Sequence, residues 1–114
     1  MKNIDELKER YQKGEDFNYL FFWGHRQKDE KLWYERSFDI VVDGNRAKFS
    51  QNRELKKFLL STSNRVIVEA SPYDKIWGIG MSADDKRATN PTKWRGENRL
   101  GFALMVVREL LKKI

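Results

Sequence analysis

The sequence predicts an α+β domain, mostly helical with a few short strands, and its apolar patterning carries that reading. Residues 53–61 place Leu55, Phe58 and Leu59 at i, i+3, i+4 spacing, and residues 98–111 do the same with Leu100, Leu104, Val107, Arg108 and Leu111. Residues 65–70 are rich in β-branched side chains and read as a strand. The aromatic run at 17–23, closed by Gly24, reads as a second, buried strand. A chain of 114 residues builds one core, so residues 1–114 are expected to form a single domain.

The first helix opens at Asn3, whose side chain suits an N-cap, with Asp5 and Glu6 in the first turn. Ile4, Leu7 and Tyr11 follow helical spacing and Gly14 supplies the stop, within an N-terminal unit of residues 1–16. Residues 24–31 are polar and read as a loop. Residues 32–52 fit two patterns. Phe38 to Val42 before Asp43-Gly44 resembles a strand entering a turn. Trp33, Ser37, Ile40, Val41, Gly44, Asn45, Lys48 and Phe49 also share one helical face, and the helix is preferred although Gly44 costs it about 1 kcal/mol against Ala. Asn52 caps the helix over 53–61. Ser71-Pro72-Tyr73-Asp74 is turn chemistry, residues 82–97 form a long polar connection, and Asn98 caps the last helix. Lys112 and Lys113 stand at its carboxyl end, where the helix dipole favours cations.

Composition narrows the chemistry. Seven Phe, four Trp and four Tyr are too many anchors for a disordered chain. With no Cys, disulfides, thiolate nucleophiles and cysteine zinc sites are excluded, and with one His, His25, so are multi-histidine metal centres. No metal or redox cofactor is expected. Net charge is +6, which suits an anionic partner. Residues 1–10 lack the apolar segment of a secretory leader, and the run at 17–23 is too short to span a bilayer. A cytoplasmic protein without membrane contact is expected.

Residues 69–101 gather the residues with chemistry to offer. Trp77 and Trp94 bring flat stacking faces, and Arg95 and Arg99 bring bidentate phosphate contacts. Gly78, Gly80, Gly96 and Gly101 allow close backbone approach, and Asn98 opens a helix whose N-terminus, between the two arginines, is an expected anion site. Together they suit a phosphorylated nucleotide-like or ribosyl ligand, although the same residues also serve as core anchors, turns and solvated surface charge. Cleavage of a glycosidic bond needs carboxylates to stabilise an oxocarbenium-like state or to activate water, and Glu69 and Asp74 are the candidates. Asp74 equally suits an Asx turn. His25, after Trp23-Gly24, is a candidate acid or base, or an ordinary surface residue. Lysines interleaved with acids, as in Lys28-Asp29-Glu30-Lys31, argue for solvated faces over a nucleic-acid groove.

Several motifs in order resemble the NADAR family and its YbiA-like branch. They are Phe21-Phe22-Trp23-Gly24-His25, Ala47-Lys48-Phe49-Ser50-Gln51-Asn52, the run from Glu69-Ala70-Ser71-Pro72-Tyr73-Asp74 to Trp77-Gly78-Ile79-Gly80, and Asn90-Pro91-Thr92-Lys93-Trp94-Arg95-Gly96-Glu97-Asn98-Arg99-Leu100-Gly101. The likeness covers residues 17–26 and 32–114. It implies a mostly helical α+β fold and an N-glycosidase acting on phosphoribosylated intermediates of riboflavin synthesis, or removing ADP-ribose from modified guanine, in nucleic acid among other settings, without a cofactor. It places Trp33 at a ligand-stacking tryptophan, Asp74 at the aspartate of the active-site turn and Trp77-Gly78 in the segment after it. In the family a block of helices with the catalytic glutamate lies before the residue matched by Trp33. Here only residues 26–32 fill that interval, and Glu30 and Glu35 lie near it but outside the motif. Such a shortened domain is expected to expose apolar surface near Trp23 and Trp33 and to self-associate. A non-catalytic module for ADP-ribose or a nucleotide, and an inert remnant of a longer enzyme, remain open alternatives.

Overall fold

The computed structural model describes residues 3–22 and 31–113, with the backbone alone for Phe22, Lys31, Leu32 and Trp33. Among the described residues there are four helices, α1 (Ile4–Gln12), α2 (Lys31–Gln51), α3 (Arg53–Ser61) and α4 (Arg99–Leu111), and two strands, β1 (Tyr19–Phe22) and β2 (Val66–Glu69). The α+β reading holds. Asn3 Oδ1 accepts from the Glu6 N–H at 3.0 Å and Asn52 Oδ1 from the Leu55 N–H at 3.1 Å, so both expected caps are in place. Gly14 takes φ +87° just beyond α1, a value that favours glycine.

β1 and β2 pair in parallel, from Tyr19 opposite Val66 to Phe22 opposite Glu69. Parallel neighbours need a long crossover, here supplied by α2 and α3. Val66, Ile67 and Val68 are buried, and α4 packs across β2 and against α2. Leu7, Leu59, Phe102, Val107 and Leu111 join them in one core.

The helical pattern wins over residues 31–51, and Gly44 lies inside α2 on an exposed face. The inward face differs from the expected one: Ser37 and Val42 are buried and Phe38, Val41, Asn45 and Phe49 partly so, while Ile40 is 51% exposed. On α4 the expected stripe is too narrow. Gly101, Phe102, Ala103 and Met105 are buried as well as Val107, Arg108 and Leu111, because the helix is covered by β2, α2 and α3. None of the described helices is long and apolar enough to cross a membrane.

Candidate functional site

Parallel strands place their following loops at their carboxyl ends, and ligands of such sheets bind there. At this end of β2 the chain ends an apolar run on Glu69 and enters residues 70–98. The first turn of that loop is built by Asp74, whose Oδ1 accepts from the backbone N–H of Ile76 at 3.0 Å and of Trp77 at 2.8 Å. This is the Asx geometry that the sequence left open, and Asp74 is only 4% exposed.

The loop then folds back onto itself. Ile79 N–H donates to Glu69 O at 2.9 Å, Arg95 N–H to Ile79 O at 3.0 Å and Asn98 N–H to Gly78 O at 2.9 Å. Two single-turn 3-10 helices, Lys86–Thr89 and Pro91–Lys93, shape the expected polar connection, and Trp94 is buried with its Nε1 donating to Ala88 O at 2.8 Å. Glycine permits these approaches. A Cβ on Gly101 would sit 2.1 Å from Ile67 O, and Gly80 holds φ +72° beside the Arg95 side chain.

Several of the expected ligand residues make packing contacts within the chain. The N-terminus of α4 is not an open anion site, because the N–H groups of Arg99 and Leu100 donate to Ile76 O and Trp77 O, each at 3.1 Å. Asn98 is not a side-chain cap. It is buried with φ +55°, its Oδ1 accepting from Glu69 N–H at 2.9 Å and its Nδ2 donating to Ile67 O at 3.0 Å, so its amide holds β2. Trp77 offers no open stacking face: it is 2% exposed, with the Arg99 guanidinium 4.9 Å from its ring centroid. Gly78 faces Glu69 O, Asp74 O and the Ser71 Cβ, and Gly80 faces Arg95, so both serve backbone packing in this structure. Arg99 stacks at 4.2 Å over Tyr34 and donates to Tyr34 O at 2.8 Å. Of the two expected phosphate ligands, Arg95 stands exposed. Trp33 lies on the first turn of α2, whereas Trp23 and His25 lie outside the described residues.

Two features were missed in the sequence. Tyr34 and Phe38, one helical turn apart on α2, meet Arg99 and line a cavity of about 230 Å³ with Ile4, Glu97 and Phe102. Tyr34 OH donates to Glu97 Oε1 at 2.5 Å. The i, i+4 spacing of the two rings was the available signal. The second feature is the state of Glu69. It is 6% exposed, Oε1 is sealed without a hydrogen-bond partner, and burial together with the nearby Asp74 charge pushes its carboxyl up to about 7. A charged residue closing a β-branched run at the carboxyl end of a strand was the clue. Among the described residues no group of three or more His, Asp or Glu side chains is placed to hold a metal ion.

The NADAR domain matches residues 5–112, which takes in both strands, all of α2, α3, α4 and the loop that carries Glu69 and Asp74, and all of α1 but Ile4. The chain belongs to the NADAR domain family. It is 52% identical over 84 residues to N-glycosidase R617 of Acanthamoeba polyphaga mimivirus, covering 74% of this chain and 49% of that protein. It is 35% identical over 81 residues to N-glycosidase YbiA of Escherichia coli (strain K12), covering 71% of this chain and 44% of the relative. Over 86 residues it is 36% identical to the chloroplastic riboflavin biosynthesis protein PYRR of Arabidopsis thaliana, covering 73% of this chain and 12% of that one. The chain therefore spans half or less of the length of the curated relatives it matches.

Proposed function

We propose that this NADAR-family chain hydrolyses the N-glycosidic bond of a phosphoribosyl or ADP-ribosyl compound. The observation that carries the reading is the pair of buried carboxyl groups, Glu69 and Asp74, at the carboxyl end of a parallel strand within the matched family segment. The relatives named N-glycosidase and the riboflavin-pathway relative support the reaction class and the ribosyl substrate. In this reading Asp74, its Oδ1 held by two backbone N–H groups, turns negative charge towards the ribosyl carbon as positive charge grows there. The family resemblance assigns Trp33, Trp23 and His25 to the ligand. Arg95 faces phosphate, while Trp77, Gly78, Gly80, Asn98 and Arg99 form the frame behind it. The net charge of +6 suits a phosphorylated substrate and extends to ADP-ribosylated guanine within nucleic acid. A cytoplasmic setting and self-association belong to the same proposal; Ile40 and Phe58, each about half exposed, support the latter.

The test is incubation of the full chain with a phosphoribosylamino-pyrimidine and, separately, with ADP-ribosylated guanosine. Release of ribose 5-phosphate or of ADP-ribose is expected, and it falls at least about 100-fold in Asp74→Ala. The shortened interval at residues 26–32 favours one second reading, a binding module without turnover. Calorimetry identifies it by saturable ADP-ribose binding with no product.

A further inference from the structure

Cleaving an N-glycosidic bond makes two opposite demands on a site. The ribosyl carbon becomes positive and needs a carboxylate nearby, while an amine or amide nitrogen leaves only if it receives a proton. Two carboxyl groups meet both demands when their surroundings hold them in different protonation states. Glu69 and Asp74 differ in the hydrogen bonds they receive. Asp74 Oδ1 accepts two backbone N–H groups, an arrangement that serves a charged carboxylate. No described hydrogen bond reaches either oxygen of Glu69, Oε1 is sealed from solvent, and the residue as a whole is 6% exposed. A charged carboxylate in that position would be desolvated without compensation, whereas a protonated one is tolerated.

The surroundings of Glu69 offer it no cation among the described residues. β1 places Phe22 opposite it, and α4 brings Asn98, whose amide is held by the β2 backbone. Arg99 is committed to Tyr34, Arg108 to Thr62 Oγ1 and Arg65 O, and Glu97 to the Tyr34 hydroxyl. Lys75 and Arg95, also on the loop, are exposed. Asp74 is the charged neighbour that acts on Glu69, and it disfavours ionisation.

We propose that Glu69 is the general acid of this site, delivering its proton to the departing nitrogen while Asp74 faces the ribosyl carbon. The role rests on the hydrolase reading above. As the bond between the ribosyl carbon and nitrogen breaks, its electron pair goes to nitrogen together with the Glu69 proton. Water then adds to the ribosyl carbon, and the proton that water loses returns to Glu69. The sum is one water consumed, with one amine and one free sugar released.

The experiment compares wild type, Glu69→Gln and Glu69→Asp on two substrates. One is a phosphoribosylamino-pyrimidine, whose nitrogen must be protonated to leave. The other is nicotinamide mononucleotide, whose pyridinium base departs neutral without a proton. Expected for Glu69→Gln is a loss of about 10²–10⁴-fold on the first substrate and less than about tenfold on the second. Wild type loses rate on the first substrate above pH 7, Glu69→Gln shows no such limb, and Glu69→Asp recovers part of the activity. Equal losses on both substrates, or none on the first, overturn the assignment. Wild type inactive on both removes the hydrolase reading along with it, and so the two failures are distinguishable. Carbon-13 titration of the glutamate carboxyls, with one group expected to titrate near pH 7 and to vanish in Glu69→Gln, checks the proton independently of turnover. A Glu69 signal that titrates with the ordinary carboxylates also overturns the assignment.

Discussion

A buried carboxyl without a partner makes the stability of the fold depend on pH in a direction opposite to that of a salt-bridged one. Glu69 titrates at about 7 in the folded chain, against 4.5 for a free glutamate. Folded Glu69 therefore keeps a proton that the unfolded chain has released, and stability falls as pH rises through that interval. The interval from 4.5 to about 7, at 1.36 kcal/mol per pH unit, corresponds to about 3 kcal/mol, which is fully present below pH 4.5 and lost as pH rises to about 7. Glu69→Gln keeps the shape and cannot ionise. Urea unfolding of both chains at pH 5, 6, 7 and 8 measures the effect, and the difference between them removes the contributions of all other titrating groups. The variant should gain on wild type as pH rises to about 7 and little beyond it, by roughly 2–3 kcal/mol over the series. A difference that stays constant with pH refutes the claim that Glu69 is held neutral, whatever its sign.

Three further outcomes follow from the packing, each read by thermal or urea unfolding. Gly44→Ala should stabilise by about 1 kcal/mol, because Gly44 is inside α2 and a Cβ there meets nothing within 4 Å; a loss of stability contradicts the helix register. Asn98→Ala should cost about 3 kcal/mol or more, since it leaves Ile67 O and Glu69 N–H unpartnered in the interior and puts alanine at φ +55°. Gly101→Ala should be harsher still, with no folded chain at 37 °C, because its Cβ would lie 2.1 Å from Ile67 O.

Local signals carried most of the fold. Asn3 and Asn52 are caps with intact hydrogen bonds, the β-branched run is β2, and the period-3.6 reading of residues 32–52 prevails over the Asp-Gly turn signal. That contest was decided by tertiary packing, since α2 lays Ser37, Phe38, Val41 and Val42 inward and leaves Gly44 at the surface, where its cost is small. The loop was harder to read. Whether Arg99 meets phosphate or an aromatic ring depends on where Tyr34 falls, 65 residues earlier in the chain. Whether Asn98 caps a helix or holds a strand depends on β2 lying within reach of its amide. Spacing along the chain cannot express either contact. The electrostatic state of Glu69 was invisible for the same reason: its residue type was on the page, but its burial and the lack of a cation beside it among the described residues are properties of three dimensions.

The proposal of bond-breaking chemistry at the end of β2 is tested most directly by single-turnover product release. With enzyme in excess over a phosphoribosylamino-pyrimidine, wild type should release ribose 5-phosphate and free base in equal amounts, while Asp74→Asn, folded to the same unfolding midpoint within a few degrees, should release neither at a measurable rate. Equal release by the two proteins contradicts the account.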